Sequence, residues 1–140
     1  EQRMQPVLNF LFPEIPGNHP SRKSIATNLL ANVLGLGWAA TPAGLKAMEE
    51  LADLEEERRK KKQRAVPIGA ASNEMCDFLI LNISSLQLIP VNIIAFRTEY
   101  GSVTPTAIVG PAILATAVST GIAIFYIKIR KYIYRKLFDR

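Results

Sequence analysis

Residues 28–50 read NLLANVLGLGWAATPAGLKAMEE, and the predicted architecture depends on this stretch. Asn28, Asn32 and Gly35 recur at i, i+4 and i+7, which places two carboxamides and a glycine on one helical face. Gly37 follows closely, and glycine is the residue that most easily leaves a helix. The pattern predicts two half-helices that meet at a glycine-rich break.

A helix-start signal, Thr41-Pro42, follows the glycines. Threonine is a good N-cap and proline suits the first helical position, so we predict that the second half-helix begins at Pro42. Its free N–H groups would point into the break. In a bilayer, irregular backbone is tolerated where protein buries it or where it lines a wet cavity, and transporters build sites from such interruptions. The alternatives are a kinked core helix of a soluble protein and a plain helix–loop–helix.

Charge is segregated along the chain. Residues 106–127 form an uncharged apolar run of about 22 residues, long enough to cross a bilayer. Residues 75–96 form a second apolar segment, in which Asp77 is the only charged residue. Pro90 predicts a break in this segment, because proline removes a backbone hydrogen bond. Lysine and arginine are concentrated in the loop around residues 58–64 and in the tail after Ile127. This distribution predicts that the loop and the tail are both cytoplasmic.

The second apolar segment resembles the first stretch. Asn82, Gln87 and Asn92 surround Pro90, as Asn28 and Asn32 precede the first break. Amide side chains are costly in hydrocarbon, so we expect them to face protein or water. The predicted substrate-binding residues, taken from both breaks, are Asn28, Asn32, Gly35, Gly37, Thr41, Asn82, Gln87 and Asn92.

Three further local patterns make testable predictions. A stripe of small residues along the uncharged run predicts close approach of another helix; it comprises Ala112, Thr116, Ser119 and Ala123. The acidic-to-basic sequence after residue 54 predicts i,i+4 ion pairs on a solvated helix extension; they are Glu55 with Arg59, Glu56 with Lys60, and Glu57 with Lys61. Ser72 or Asn73 is expected to cap the next helix.

The predicted fold is an all-α, multi-pass membrane bundle with discontinuous helices, either broken or re-entrant, forming one domain over residues 1–140; whether 24–48 spans or re-enters stays open. Its predicted parts are an amphipathic helix and Pro-rich loop (1–23), which lies at the interface or docks on the bundle, a broken helix (24–54), a basic cytoplasmic loop (55–74), a broken transmembrane segment (75–96), a transmembrane helix (105–127) and a basic cytoplasmic tail (128–140).

Several functional classes have little support in the composition. One cysteine and one histidine exclude an internal disulfide and a Cys- or multi-His-based metal site. No phosphate-binding loop, dinucleotide fingerprint or nucleophile elbow is present, so we expect no cofactor, no metal and no enzymatic activity. The net charge of +5 reflects membrane orientation, and no nucleic-acid partner is expected. Because the chain starts at Glu1, we expect a longer protein.

Four segments carry a resemblance to a known family: LFPEIPGNHP (11–20), NLLANVLGLGWAATPAGLKAMEELADL (28–54), FLILNISSLQLIP (78–90) and TPTAIVGPAILATAVSTGIA (104–123). With these motifs the chain resembles the spore maturation A family of nucleoside-recognition "gate" domains. The pattern GLGxAATPxGxKAM over 35–48 is long and unusual enough to be specific.

The resemblance implies a bacterial multi-pass membrane protein that works with spore maturation protein B and is linked to spore-core dehydration. It also implies N-terminal helices that this chain lacks, contact with membrane lipids, and a homo- or hetero-oligomer. Two functions stay open at this stage. One is a transporter-like component that moves a small polar solute or ion through the two breaks. The other is a non-transporting partner or scaffold protein, in which the asparagines join helices.

Overall fold

The computed structural model describes residues 4–84 and 87–138, which are helical with no strand, so the all-α prediction is confirmed for these residues. The helices are α1 (Gln5–Leu11), α2 (Ser21–Val33), α3 (Gly37–Lys60), α4 (Asn73–Ile83), α5 (Val91–Glu99) and α6 (Val109–Phe138), with a 3-10 turn at Pro105–Ile108.

Helices α2 and α3 pack against each other as an antiparallel hairpin with a very short connection. Gly35 adopts a φ of +71°, a left-handed conformation that favours glycine. Its N–H donates to the Asn32 carbonyl (2.9 Å), and the Leu36 N–H donates to the Ala31 carbonyl (2.8 Å). This pair of bonds is the Schellman motif, which satisfies the last carbonyls of α2 and reverses the chain.

The predicted helix start at Thr41-Pro42 is wrong. Helix α3 already begins at Gly37, Pro42 lies inside it, and the Thr41 hydroxyl donates to the Gly37 carbonyl (3.1 Å). Pro42 therefore removes one hydrogen bond from the early part of a 24-residue helix. Packing of this first turn against α2, where Ala40 is buried, compensates for that loss.

The predicted transmembrane segment 75–96 is not one helix. Helix α4 ends at Ile83, Pro90 is the N-cap of α5, and residues 85 and 86 in the connection lie outside the described residues. Ser72 caps α4 as predicted, because its hydroxyl accepts the Met75 N–H (3.3 Å). The two short helices therefore lie on either side of an irregular connection.

Helix α6 dominates the apolar part of the molecule. Within the span Pro105–Tyr134 an 18-residue stretch has a mean hydropathy of 2.0, and this is the one helix in the described part of the chain that is long and apolar enough to cross a membrane. Pro105 starts this span, although the Thr104 hydroxyl does not cap it. Large side chains along one side are exposed: Leu114, Val118, Ile122, Phe125 and Ile129. The multi-pass arrangement stays a prediction.

The hydrophobic core lies towards the C-terminal half of α6. Helix α1 docks on the bundle there, because Leu8 and Leu11 are buried, so the docking alternative holds. The core side chains come from five helices and the loop after α1: Leu8, Leu11, Phe12, Ile15, Ile25, Ala26, Ala47, Leu51, Leu54, Phe78, Leu81 and Ile127.

The predicted small-residue stripe on α6 is only partly correct. Thr116 and Ala123 lie on the packed face, but Ser119 is exposed, and Thr120 takes its place. The Thr120 hydroxyl donates to the Ser84 carbonyl (2.6 Å), and the Thr116 hydroxyl accepts the Gln87 N–H (3.3 Å). The partner is irregular backbone, whose polar groups need hydrogen bonds, and threonine hydroxyls provide them.

The predicted surface ion pairs also need one correction. Glu56 pairs with Lys60 (2.8 Å) and Glu57 with Lys61 (3.1 Å), as expected. Glu55 is instead buried and pairs with Arg58 (2.5 Å). A contact between helices explains this difference. Arg58 also pairs with Glu74 of α4 (2.7 Å), so Glu55 joins the ion pair between α3 and α4.

Candidate functional site

The α2–α3 connection and the α4–α5 connection, here called the two interruptions, meet in space. The Leu88 N–H donates to the carbonyl of Val33, the last residue of α2, over 2.8 Å. Gly35 lies so close to the Ile89 carbonyl that any β-carbon at position 35 would overlap its oxygen. Backbone of one interruption thus pairs with backbone of the other, which meets the need of irregular segments for hydrogen bonds.

Three asparagines form a hydrogen-bonded chain beside this contact. The Asn32 amide donates to Oδ1 of Asn82 on α4 (2.6 Å) and to Oδ1 of Asn28 (3.2 Å). The Asn28 amide donates to the Ala40 carbonyl in the first turn of α3 (2.8 Å). The chain therefore joins α2, α3 and α4 through side chains spaced one helical turn apart on α2.

These residues border a cleft of about 270 Å³ between α2, α3 and α4. None of the described residues that line the cleft is ionisable. They are Asn28, Asn32, Gly37, Ala40, Thr41, Gly44, Leu45, Met48, Phe78, Leu79 and Asn82. The lining combines amide groups with an apolar floor, a composition typical of small-ligand sites.

The structure brings together most of the residues predicted from the two breaks. Five of them line the cleft: Asn28, Asn32, Gly37, Thr41 and Asn82. Gly35 lies in the interruption itself. Gln87 contacts α6 through its N–H, and Asn92 is exposed on α5, so neither is among the residues that line the cleft. Whether any of these residues binds a ligand stays a prediction.

Sequence reasoning missed several cleft residues. Gly44 lies against Asn28, and Phe78 contributes to the floor from α4. A signal for Gly44 was present, because Ala40, Gly44 and Ala47 form a small-residue stripe at i, i+4 and i+7. Small residues on one face allow a neighbouring helix to approach closely, and α2 does so here.

The site lies halfway along the apolar part of α6. Thr116, which bonds the Gln87 N–H, stands at the centre of the uncharged run 106–127. If α6 crosses a membrane, the two interruptions lie near its midplane. Transporters with discontinuous helices place their sites at this depth.

We expect Gly44→Ala to destabilise the protein although alanine is a better helix former. The new β-carbon would come within 2.9 Å of the Asn28 amide nitrogen, which the Ala40 carbonyl holds in place. Losing that bond costs about 1–2 kcal/mol, more than the propensity gain of up to ~1 kcal/mol. Gly121→Ala is the matched control, because a β-carbon there meets nothing within 4 Å, and it should stabilise. Unfolding in detergent micelles measures both, and equal shifts would refute the contact.

Taken together, the fold and the cleft define a class: an all-helical protein with a candidate membrane span and two inter-helix connections that meet beside an asparagine-lined cleft. Sequence comparison then identifies a relative. The chain is 46% identical over 132 residues to Spore maturation protein A of Bacillus subtilis (strain 168).

The alignment covers 94% of this chain and 61% of that relative, so the chain spans about three-fifths of its length. The predicted resemblance to spore maturation protein A is therefore confirmed, whereas the assignment to nucleoside-recognition gate domains stays a prediction. No protein-family model matches the chain, and no solved structure matches it.

Proposed function

We propose that the chain is a component of a transporter-like membrane complex that passes a small polar solute through the asparagine cleft. The observation that carries the proposal is the meeting of two helix interruptions beside Asn28, Asn32 and Asn82. Irregular backbone at the mid-depth of α6, with amide side chains beside it, resembles the discontinuous helices from which transporters build solute sites. Since none of the described lining residues is ionisable, a neutral solute fits better than an ion, and we propose no catalytic role.

Under this proposal the activity serves spore maturation, and the name of the relative supports that role. Spore maturation protein B is the proposed partner, in accordance with the family resemblance. The basic regions 55–74 and 128–140 lie on the cytoplasmic side, because clusters of lysine and arginine follow the positive-inside rule.

A second function is favoured by a specific observation. The asparagine amides are used in bonds to one another and to the Ala40 carbonyl, which makes them cross-links between helices. Such bonds contribute about 0.6–2 kcal/mol each inside a membrane. A non-transporting scaffold that assembles with the partner would need only these cross-links and no passing solute.

Asn32→Leu is expected to abolish function, because it removes both bonds from the centre of the asparagine chain. The variant is expressed in a sporulating bacterium that lacks its own spore maturation protein A, and spore heat resistance is measured. The control is Asn92→Leu, an exposed amide on α5 that is not among the residues lining the cleft, which should keep full function.

Membrane levels and co-purification with the partner separate the two functions. A transporter component keeps its partner and loses heat resistance when Asn32 is replaced, whereas a scaffold loses both together. Unchanged heat resistance in the Asn32→Leu variant would contradict a role for the cleft in either function.

A further inference from the structure

The connection between α3 and α4 presents an apolar tip within a basic loop. Residues 67–70 form a tight turn in which the Ala70 N–H donates to the Pro67 carbonyl (3.0 Å) and Gly69 has a φ of +84°. These features are typical of a type II turn, with Ile68 at its first corner. The Ile68 side chain is 88% exposed, so the rest of the described chain leaves its apolar surface uncovered.

The base of this turn is held firmly. The Val66 N–H donates to Oε2 of Glu55 (3.0 Å), and the Arg59 guanidinium donates to the Val66 carbonyl (3.3 Å). Because both backbone groups of Val66 are bonded to α3, the turn projects from a fixed point. Little conformational entropy remains to be lost if the tip inserts into another phase.

Positive charge precedes the tip along the chain. Residues 56–64 contain six cations and two carboxylates, and Lys60, Lys61 and Lys62 are exposed. The carboxylates of Glu56 and Glu57 pair with Lys60 and Lys61 at the surface, where such pairs contribute little. Lys60 and Lys61 can therefore leave their carboxylates and bind a lipid phosphate with little loss of free energy.

The loop lies at the depth of lipid headgroups if α6 crosses the membrane. The Arg64 guanidinium stacks 5.3 Å from the ring centroid of Tyr134 on α6. Tyr134 follows Thr116, at the centre of the uncharged run, by about 27 Å of helix, which lies beyond the headgroups. Arg130 follows Thr116 by about 21 Å and borders the same cavity as Pro67, the first residue of the turn. The hydrocarbon half-thickness is about 15 Å and headgroups extend to about 22 Å, so the base of the turn lies in the headgroup layer.

We propose that the loop 60–70 is a docking surface for anionic phospholipids, in which Ile68 inserts among the acyl chains and the lysines contact headgroup phosphates. The proposal rests on the membrane crossing of α6 and adds a lipid site outside the cleft. The occupant is an anionic bilayer because charge and apolar tip coincide, the combination by which basic segments attach to negatively charged leaflets.

Tryptophan quenching tests the loop directly. The full chain with Trp38→Phe carries Ile68→Trp or, as a control, Val118→Trp on the exposed side of α6. Each is reconstituted into bilayers with brominated acyl chains, either phosphatidylcholine alone or with a phosphatidylglycerol fraction. We expect the fluorescence of the Val118→Trp variant to be quenched in both bilayers. We expect the fluorescence of the Ile68→Trp variant to be quenched strongly only with the anionic lipid.

A charge variant completes the test. Lys60→Gln, Lys61→Gln and Lys62→Gln together should remove the dependence on anionic lipid, since each lysine near such a surface contributes about fivefold to binding. The proposal is overturned if position 68 stays unquenched in anionic bilayers, or is quenched equally in both, while position 118 is quenched. Absence of quenching at position 118 would overturn the membrane crossing of α6 as well.

Discussion

Replacing Arg58 by methionine should lower the free energy of unfolding by about 3–5 kcal/mol, the cost of removing one partner from a buried ionic group. The Arg58 guanidinium bonds Glu55 (2.5 Å) and Glu74 (2.7 Å), whose side chains are only 5% and 7% exposed. It also donates to the Glu14 carbonyl (3.0 Å). Without it, two buried carboxylates on α3 and α4 would face each other unneutralised.

Electrostatics supports a permanent charge at this position. Burial lowers the pKa of Arg58, but the carboxylates of Glu74 and Glu55 more than compensate, so that its pKa is raised above the ordinary value. The guanidinium therefore stays protonated at any physiological pH, and the variant's effect should not depend on titration of the arginine.

Neighbouring cations provide the controls for Arg58. Lys60→Met removes an exposed pair with Glu56 and should leave stability nearly unchanged, because water screens such surface pairs. Adding Glu74→Met to the Arg58→Met variant should restore part of the loss, because one stranded carboxylate is then gone. Denaturation of the purified protein in detergent measures all three. A loss for Arg58→Met no greater than for Lys60→Met would show that the cluster is not a structural centre.

Gly35→Ala is expected to be the most damaging small substitution in the α2–α3 hairpin. A left-handed conformation costs a non-glycine residue about 1–2 kcal/mol. In addition, the new β-carbon would overlap the Ile89 carbonyl oxygen, which belongs to backbone and cannot rotate away. We therefore expect a total loss of about 3 kcal/mol or more, in the range of mutations that strain the backbone.

Gly101→Ala separates these two contributions. Gly101 has nearly the same backbone angle, a φ of +73°, but a β-carbon there meets nothing within 4 Å. It should therefore show only the conformational cost. Thermal unfolding and spore heat resistance are compared for both variants. If Gly35→Ala and Gly101→Ala behave alike, the two interruptions do not touch as described, and the cleft loses its backbone wall.

Local sequence patterns were sufficient for part of the cleft. The i, i+4 spacing placed Asn28 and Asn32 on one face of α2, and the structure keeps them there, bonded to each other. Asn82 was expected to lie at a corresponding position in the second segment, and its Oδ1 accepts a hydrogen bond from the Asn32 amide. Gln87 and Asn92 followed the same compositional rule, yet they are not among the residues that line the cleft.

The amino-acid sequence by itself determined the helical periods, the uncharged run that becomes α6, and the end of a helix near Gly35, since each depends on residues close together in the chain. Tertiary structure alone decided that α3 begins before Pro42, that Glu55 pairs with Arg58, and that irregular backbone packs on Thr116 and Thr120. In each case the deciding partner lies on another helix or in a distant connection, so that contact energy outweighed the local preference.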